Sequence, residues 1–527
     1  ENRFGTIPAF ADQPALAEGR VRHRGEAVAL LVGDPAALDA LDMATAPIAW
    51  QPEAAKLDPA AAPAGLHEGR PDDVLVTGLV QRGDLEAGFA RGVATVEATV
   101  ETGFVEHAYI EPEAGHAWIE GDTLVIEACT QAPVMDRDDT ARVLGLPPER
   151  VRIIPAAAGG GFGAKLDLSV QPLIGLAALL TGRRCRMVFT RAESMQASTK
   201  RHPARMTGRI AADAEGRVTA MAFDGTFDTG AYASWGPTVA VRVPVHASGP
   251  YFTPAYRAEA RAVHTNGPTA GAFRGFGVPQ AAILQETLYD DLADRFGIDR
   301  LAFRRINALS DNTPTVCGQV LRGVGIGACL DALAAPWARA LAEAEAHNAV
   351  DDTLKRGVGV ASCWYGCGNT GLPNPSTIRL GITAEGRLRL HQGATDIGQG
   401  SNTVVAQLAA DALGLPLAQV ELVGPDTHLT PDCGKTSASR QTFVTGKAAM
   451  LAGEALRRRI LALANTGEDA RLALEGDRLT ATDGQGSRTI PLAELVPDPQ
   501  GYVLAAEETY DPPTKPLDAD GQGEPYA

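Results

Sequence analysis

Hydrophobic and polar positions alternate with period two along "VATVEATVETGFVEH", Val93 to His107, and along "TLVIEAC", Thr123 to Cys129, which predicts strands in both places. Near the start, the apolar runs "EAVALLVG" (Glu26 to Gly33) and "PIAWQ" (Pro47 to Gln51) predict two more strands. Between them Asp34 and Pro35 open a helix, an aspartate cap followed by proline in the first turn. The Pro/Ala-rich stretch from Leu57 to Asp73 predicts a linker. Further on, "VRIIP" predicts a strand, "LSVQPLIGLAALL" a buried helix and "RCRMVFT" another strand.

One pattern occurs twice. "CTQAPVMDRDDTARVLGLPPERVRII" (Cys129 to Ile154) and "GQGSNTVVAQLAADALGLPLAQVELV" (Gly398 to Val423) each place a glutamine in a loop, then a helix ending at Leu-Gly-Leu-Pro, then a strand. Gly145 and Gly414 suit helix ends, and Pro147 and Pro416 prevent the helix from resuming. A duplication into two related α+β halves follows. Pockets favour the seams between such halves, so loops from both are where a ligand is to be sought.

Four loops stand out. "GGGFGAK" (Gly159 to Lys165) follows a predicted strand, and "GAFRGFGVPQ" (Gly271 to Gln280) again mixes Gly with Phe and adds Arg274. "GATDIGQGSNT" (Gly393 to Thr403) sets Gln399 between glycines, and "CGKTSASRQTFVTG" (Cys433 to Gly446) crowds small hydroxylated residues. A phosphate loop needs Gly before Lys and Ser or Thr after it, where this chain has Ala164 and Leu166. Gly159, Gly161 and Ala164 satisfy a dinucleotide fingerprint locally, but the first acid after the next strand, Glu193, comes too late for the ribose. Backbone N–H groups, an amide, hydroxyls and a guanidinium together suit an extended, oxygen-rich anion with a fused heterocycle.

Composition narrows the partners. Asp plus Glu number 64 against 47 Lys plus Arg in 527 residues, a net charge of −17, which disfavours nucleic acid and anionic membrane surfaces. Seven scattered cysteines argue against a disulfide framework and fit a reducing compartment, so the expected setting is cytoplasmic, with carriage to the periplasm by a partner's signal as the alternative. Cys363 and Cys367 lack a second ligand pair, so no residue is expected to ligate a metal directly. No apolar run approaches the roughly 20 residues of a membrane span. Glu106 and His107, adjacent on a strand, point to opposite faces and read as structural.

In their order and separations, "GGGFGAK", "GAFRGFGVPQ", "DIGQGSNT" and "SASRQT" resemble the molybdopterin-binding chain of the xanthine dehydrogenase and aldehyde oxidase family. The resemblance implies an α+β fold: residues 1–57 as a partial hammerhead-like domain, 58–75 as a linker, and 76–310 and 325–527 as two molybdopterin-binding domains with the cofactor at their interface. It also implies that the chain is incomplete at both ends. The implied cofactor is a molybdenum held by the dithiolene of a pyranopterin, either plain molybdopterin or its cytosine dinucleotide form. [2Fe-2S] clusters and FAD are then expected on partner subunits or domains.

Carried over residue by residue, the resemblance places Gly161, Phe162 and Gly163 against the metal's oxygen ligands and Arg274 beside the metal centre. Gln399, flanked by Gly398 and Gly400, binds the pterin or its phosphate, and Ser437 and Ser439 contact the cofactor tail. Phe276 packs on the substrate ring, and Arg242 matches the arginine of the purine enzymes, although an arginine in that context could equally make a salt bridge. Two positions depart from the family. Val105 stands where a glutamine often bonds an oxygen ligand, and Leu166 where purine oxidisers have glutamate. The base-bearing Gly-x-Gly-Glu motif finds a tempting match in Gly521 to Glu524, but its Pro- and Asp-rich surroundings resemble an earlier segment of the family. The base is therefore expected outside this chain, downstream or on a second chain that completes the region. The expected activity is hydroxylation of an aldehyde or N-heteroaromatic substrate with oxygen from water. The alternatives are a purine dehydrogenase subunit and a noncatalytic cofactor-holding or assembly subunit.

Overall fold

Two units make up the computed structural model, which describes residues 2–526, and neither unit is one continuous stretch of sequence. The first holds the residues up to Ala54, Glu106–Thr199 and Pro373–Pro513; the second holds Ala55–Val105, Lys200–Leu372 and the residues from Thr514 on. Along the chain the strands are β1 (Val74–Arg82), β2 (Ala94–Thr102), β3 (Ala114–Glu120), β4 (Thr123–Ala128), β5 (Val151–Pro155), β6 (Cys185–Val188), β7 (Ala204–Ala212) and β8 (Val218–Gly230). They continue with β9 (Tyr256–His264), β10 (Ser376–Thr383), β11 (Leu388–His391), β12 (Val420–Val423), β13 (Arg471–Glu475), β14 (Arg478–Asp483), β15 (Gly486–Pro491) and β16 (Tyr502–Tyr510). The helices are α1 (Pro35–Asp39), α2 (Leu85–Arg91), α3 (Pro133–Leu144), α4 (Gln171–Thr181), α5 (Arg191–Ala197), α6 (Gly236–His246), α7 (Val278–Phe296), α8 (Arg300–Asn307), α9 (Ile326–Val350), α10 (Ser401–Leu413) and α11 (Gly446–Ala464).

The duplicated pattern is realised inside the first unit as two sheets of one topology, β5-β4-β3-β6 and β12-β11-β10-β16. Each is an antiparallel hairpin (β3 with β4, β10 with β11), followed by a helical crossover to a parallel strand (β5, β12). A last strand then returns antiparallel to the first (β6, β16). The crossovers turn where Leu-Gly-Leu-Pro predicts. Gly145 and Gly414 sit in the left-handed region at φ 68° and 84°, and their N–H groups close α3 and α10. Each sheet packs into its own apolar core, Leu124, Ile126, Val151 and Ile153 with Ile174 of α4, and Ile378, Leu380 and Leu390 with Val405 and Leu413 of α10 and Leu456 of α11. The second repeat differs by an inserted meander, β13-β14-β15.

The second unit is a five-stranded sheet, β1-β9-β8-β7-β2, in which only β8 and β9 run parallel. Strand β8 is buried almost throughout, the signature of a central strand covered on both faces. The Pro/Ala-rich stretch is fastened to this unit by Asp73. That carboxylate accepts the N–H groups of Ala64 (2.7 Å) and Leu66 (2.9 Å) and the Lys56 ammonium (2.9 Å). Burial pushes the carboxyl up, but the three donors outweigh it and leave its pKa below the ordinary value. Asp73→Asn should cost about 3 kcal/mol at neutral pH, since it strands Lys56 without its counter-charge. A depressed carboxyl contributes stability above its unfolded pKa and loses it in acid, so the gap in thermal unfolding should narrow as pH falls through about 3.9.

The amino-terminal expectation needs correction. Helix α1 forms behind Asp34 and opens on Pro35 as predicted, although the Asp34 side chain makes no capping bond, but neither Glu26–Gly33 nor Pro47–Gln51 is a strand. Alternation marks a chain that could line a sheet. Among the described residues no ladder partner meets either run, and Leu31, Val32, Ile48 and Trp50 stand exposed.

Candidate functional site

In each repeat of the first unit, loops leave the carboxyl ends of two parallel strands, the edge where open α/β sheets bind ligands. After β4 comes the loop carrying Gln131; after β5, the glycine loop; after β11, the Gln399 loop; after β12, the segment reaching Ser439. Three of the four motifs singled out by sequence therefore converge in one unit. The repeats are tied together at this edge. Arg152 reaches Asp426 with a two-pronged contact (2.6 and 3.0 Å), and Ile153 and Thr427 exchange hydrogen bonds of 2.9 and 3.1 Å.

Gln131 is the centre of the tie. Its Oε1 accepts from Gly163 N–H (2.9 Å) and its Nε2 donates to Thr436 O (2.7 Å). Its own backbone takes Lys165 O and Thr436 N–H. The Thr436 hydroxyl goes on to Thr395 O (2.7 Å) and accepts from Gln441 (3.1 Å), so one network joins all four loops. Gln131 was visible in the sequence only as the counterpart of Gln399. Its bonding partner lies 305 residues away.

The glycine loop has little room for side chains. A Cβ on Gly161 would meet Gln131 Oε1 at 2.4 Å, and one on Gly159 would meet Glu111 Cβ at 2.6 Å. Phe162 is held at φ 53° and the next residue, Gly163, at 122°, with Gly160 at 100° one residue before Gly161; a non-glycine residue adopts such a φ only under constraint. Behind it, the Lys165 ammonium meets Glu111 (2.7 Å) and lies over the Tyr109 ring (4.7 Å), and Glu111 also takes Gly159 N–H (2.7 Å). Burial, then the neighbouring Glu113, pushes the Tyr109 hydroxyl pKa upward. Leu166 lies in the core behind this loop rather than at its lip.

Gln399 is engaged in shaping its own loop. Its Oε1 accepts Ile397 N–H (2.7 Å), and its Nε2 donates to Ser401 Oγ (2.9 Å) and Thr395 O (3.2 Å). Asp396 caps α10 by accepting from Gly398, Gly400 and Asn402 N–H. A Cβ on Gly398 or Gly400 would meet nothing within 4 Å, although both have positive φ. In the last loop Ala438 and Ser439 are consecutive left-handed residues at φ 51° and 57°. Arg440 holds them by donating to Asn374 Oδ1 (2.7 Å) and to the carbonyls of Cys433, Asn374 and Pro375. A π-turn, Gln441–Thr445, follows. Burial pushes the Lys435 ammonium down to about 8.

The remaining predicted residues lie in the second unit. The Arg274 loop carries three consecutive left-handed residues, Gly275, Phe276 and Gly277 (φ 104°, 46° and 84°). Phe276 is buried with its ring 5.9 Å from Trp235, whereas the Arg274 side chain is exposed and joins no ion pair among the described residues. Arg242 is fully buried, and it forms no salt bridge among the described residues. It donates to Gly368 O and Thr370 Oγ1 and lies over the rings of Tyr365 (4.5 Å), Tyr526 (5.2 Å) and Phe276 (5.8 Å). Val105 is exposed, and its carbonyl accepts from Arg201 N–H (3.0 Å). Glu524 pairs at the surface with Lys515 (2.6 Å). Among the described residues no helix is long and apolar enough to cross a membrane.

Comparison with known proteins bears on these loops. Molybdopterin cofactor-binding domains match residues 66–308 and 332–527. The nicotinate dehydrogenase large molybdopterin subunit of Eubacterium barkeri is 38% identical over 329 residues, 61% of this chain and 76% of that protein. A probable xanthine dehydrogenase subunit of Bacillus subtilis is 34% identical over 454 residues, 84% of this chain, which spans 59% of that protein's length. The solved structure of the aldehyde oxidoreductase from Desulfovibrio gigas superposes with a TM-score of 0.86 at 26% identity, covering 100% of this chain and 57% of that one. The order of the loops, the duplicated topology and these matches agree: the chain belongs to the xanthine dehydrogenase and aldehyde oxidase family, as a molybdopterin cofactor-binding chain.

Proposed function

We propose that the chain carries the molybdenum-pyranopterin site of a hydroxylase that oxidises an aldehyde or N-heteroaromatic substrate with oxygen from water. The observation that carries this reading is a set of unused donors. Gly160, Gly161 and Phe162 present three successive N–H groups with no hydrogen-bond partner among the described residues. The buried hydroxyls of Ser437 and Thr395, on neighbouring loops of the same unit, donate to nothing among them either. The two buried hydroxyls carry a free-energy penalty while unsatisfied, and an oxygen-rich anionic group is what would relieve it and engage the backbone donors as well. The residues therefore fit the group that the family binds.

When bound, that group supplies a metal-activated oxygen from water and a sink for two electrons. The protein's share is placement. Gly160 to Phe162 direct N–H groups at oxygen, Ser437 and Ser439 hold the polar tail, and the Gln399 loop frames the amino-terminal end of α10. Gly163 acts indirectly, because its N–H is committed to Gln131. Arg274 supplies positive charge for an anionic centre, and Phe276 a face for a planar substrate. The cytosine dinucleotide form, iron–sulfur and flavin partners, a base supplied from outside these residues and a cytoplasmic setting belong to the same reading.

Analysis of the purified protein for molybdenum, phosphorus and released nucleotide tests it. Protein from a cofactor-competent host should carry the metal and the pterin together, and neither would be found if the reading is wrong. Turnover per molybdenum separates the enzyme from a cofactor-holding subunit. Xanthine is expected to be a poor substrate. Leu166 stands where purine oxidisers have glutamate and lies in the core behind the glycine loop, so no carboxylate meets a purine edge from this position, and each polar atom left unpaired should cost about 1 to 3 kcal/mol. Urate formation matching the best aldehyde or N-heteroaromatic tested would reverse that expectation.

A further inference from the structure

Arg201 belongs to none of the four loops, yet it touches more of the second unit's predicted site than any residue chosen from sequence. Its guanidinium lies over the Phe273 ring at 3.8 Å, donates through Nη2 to Arg274 O (2.9 Å) and through Nη1 to Gln280 Oε1 (3.3 Å). Its N–H bonds Val105 O, and the flanking residues close the frame: Lys200 O accepts from Gly271 N–H (2.9 Å), and His202 O accepts from the Gln280 amide (3.1 Å). Among the described residues no carboxylate pairs with Arg201. Burial alone pushes its pKa down, to about 10, so it stays cationic at neutral pH. A half-buried arginine with no acid partner is an unusual way to add stability. It is an apt way to fix a backbone, because the planar fork stacks on one face and aims its hydrogen bonds in a set direction.

The loop it grips cannot hold its own shape cheaply. Between Arg274 and α7 the chain passes through Gly275, Phe276 and Gly277, all left-handed, with Phe276 N–H turned back to Phe273 O (2.8 Å). Phe273, stacked under Arg201, is thus one anchor of the turn and Arg274 O the other. We propose that Arg201 is a positioning residue: its stacked, hydrogen-bonded guanidinium sets the turn that presents Arg274 and Phe276 to cofactor and substrate. The inference rests on the function proposed above.

The test combines backbone amide hydrogen exchange over residues 271–277 with turnover per bound molybdenum of the assembled enzyme, the base-bearing segment and redox partners included, for wild type and for Arg201→Lys. Lysine keeps the charge and the backbone bond to Val105 but loses the fork and the stack. Exchange at Phe276, whose N–H is turned back to Phe273 O, should rise about tenfold and turnover per molybdenum should fall about 30-fold, the scale of one lost charge-assisted bond. A merely structural role would reduce the yield of folded protein and leave turnover per molybdenum as it was. Phe273→Leu, which removes only the stack, should show both effects more weakly and covers the case in which Arg201→Lys does not fold. Unchanged exchange in the loop, or wild-type turnover per molybdenum in both variants, would overturn the proposal. Wild-type protein free of molybdenum would instead defeat the functional reading, and the exchange arm alone would then decide whether Arg201 sets the turn.

Discussion

Gln131→Leu should empty the protein of molybdenum and lower its stability by about 2 to 4 kcal/mol, because the change leaves a buried donor and a buried acceptor unsatisfied at once. The donor is Gly163 N–H and the acceptor Thr436 O, which the Gln131 amide joins at 2.9 and 2.7 Å. Leucine has similar bulk but no polar atom, and its branch would press on Gly161, whose Cβ position already lies 2.4 Å from Oε1. The expected consequence is local. Glycine-loop donors lose the side-chain part of their register with the Ser437 loop, and only the backbone bonds of residue 131, to Lys165 O and from Thr436 N–H, remain of this tie among the described residues. Gln131→Glu should be no milder at neutral pH, since it keeps an acceptor for Gly163 N–H but sets a buried carboxylate against Thr436 O. Metal analysis and thermal unfolding read both effects. Full molybdenum content at unchanged stability would mean that the tie is incidental to the site.

Local grammar was the legible part of this sequence. The repeated Leu-Gly-Leu-Pro announced two helix ends and two crossovers because left-handed glycine and a following proline act within one turn of chain. The glycine-rich loops announced themselves for a similar reason, as positions where left-handed backbone is required. Their partners did not. Gln131 meets Thr436 across 305 residues, and Glu111 takes Gly159 N–H from 48 residues away, so neither contact leaves a mark on local pattern. The interleaving of chain segments within each unit was equally invisible, since it depends on which strands pair and not on which residues form strands. Glu26–Gly33 shows the converse failure: alternation is written in the chain, but the neighbouring strand that would complete a ladder is not among the described residues. Arg201 was missed because "KRHP" carries no motif grammar; a half-buried arginine that pairs with no acid among the described residues could be found only in three dimensions.

Arg274→Ala should cut turnover per bound molybdenum by about 100-fold, the scale seen when a charge that stabilises a transition state is removed, while leaving folding stability nearly untouched. The contrast follows from where the side chain sits. Its carbonyl is gripped by Arg201, but the guanidinium itself is exposed and engages no carboxylate among the described residues, so the fold loses almost nothing when it is cut away. A cation held ready without a partner has its value in what it meets when the anionic cofactor is bound. Reading it as a buried ion-pair member would predict a stability loss as well, and the exposure of the side chain removes that prediction. Arg274→Lys should fall between wild type and alanine, since it keeps the charge but not the planar fork. Kinetics normalised to molybdenum, beside thermal unfolding of the same preparations, separate these outcomes. Wild-type turnover in the alanine variant would place Arg274 outside the reacting centre, whereas a large fall in unfolding temperature would show that the side chain serves the fold after all.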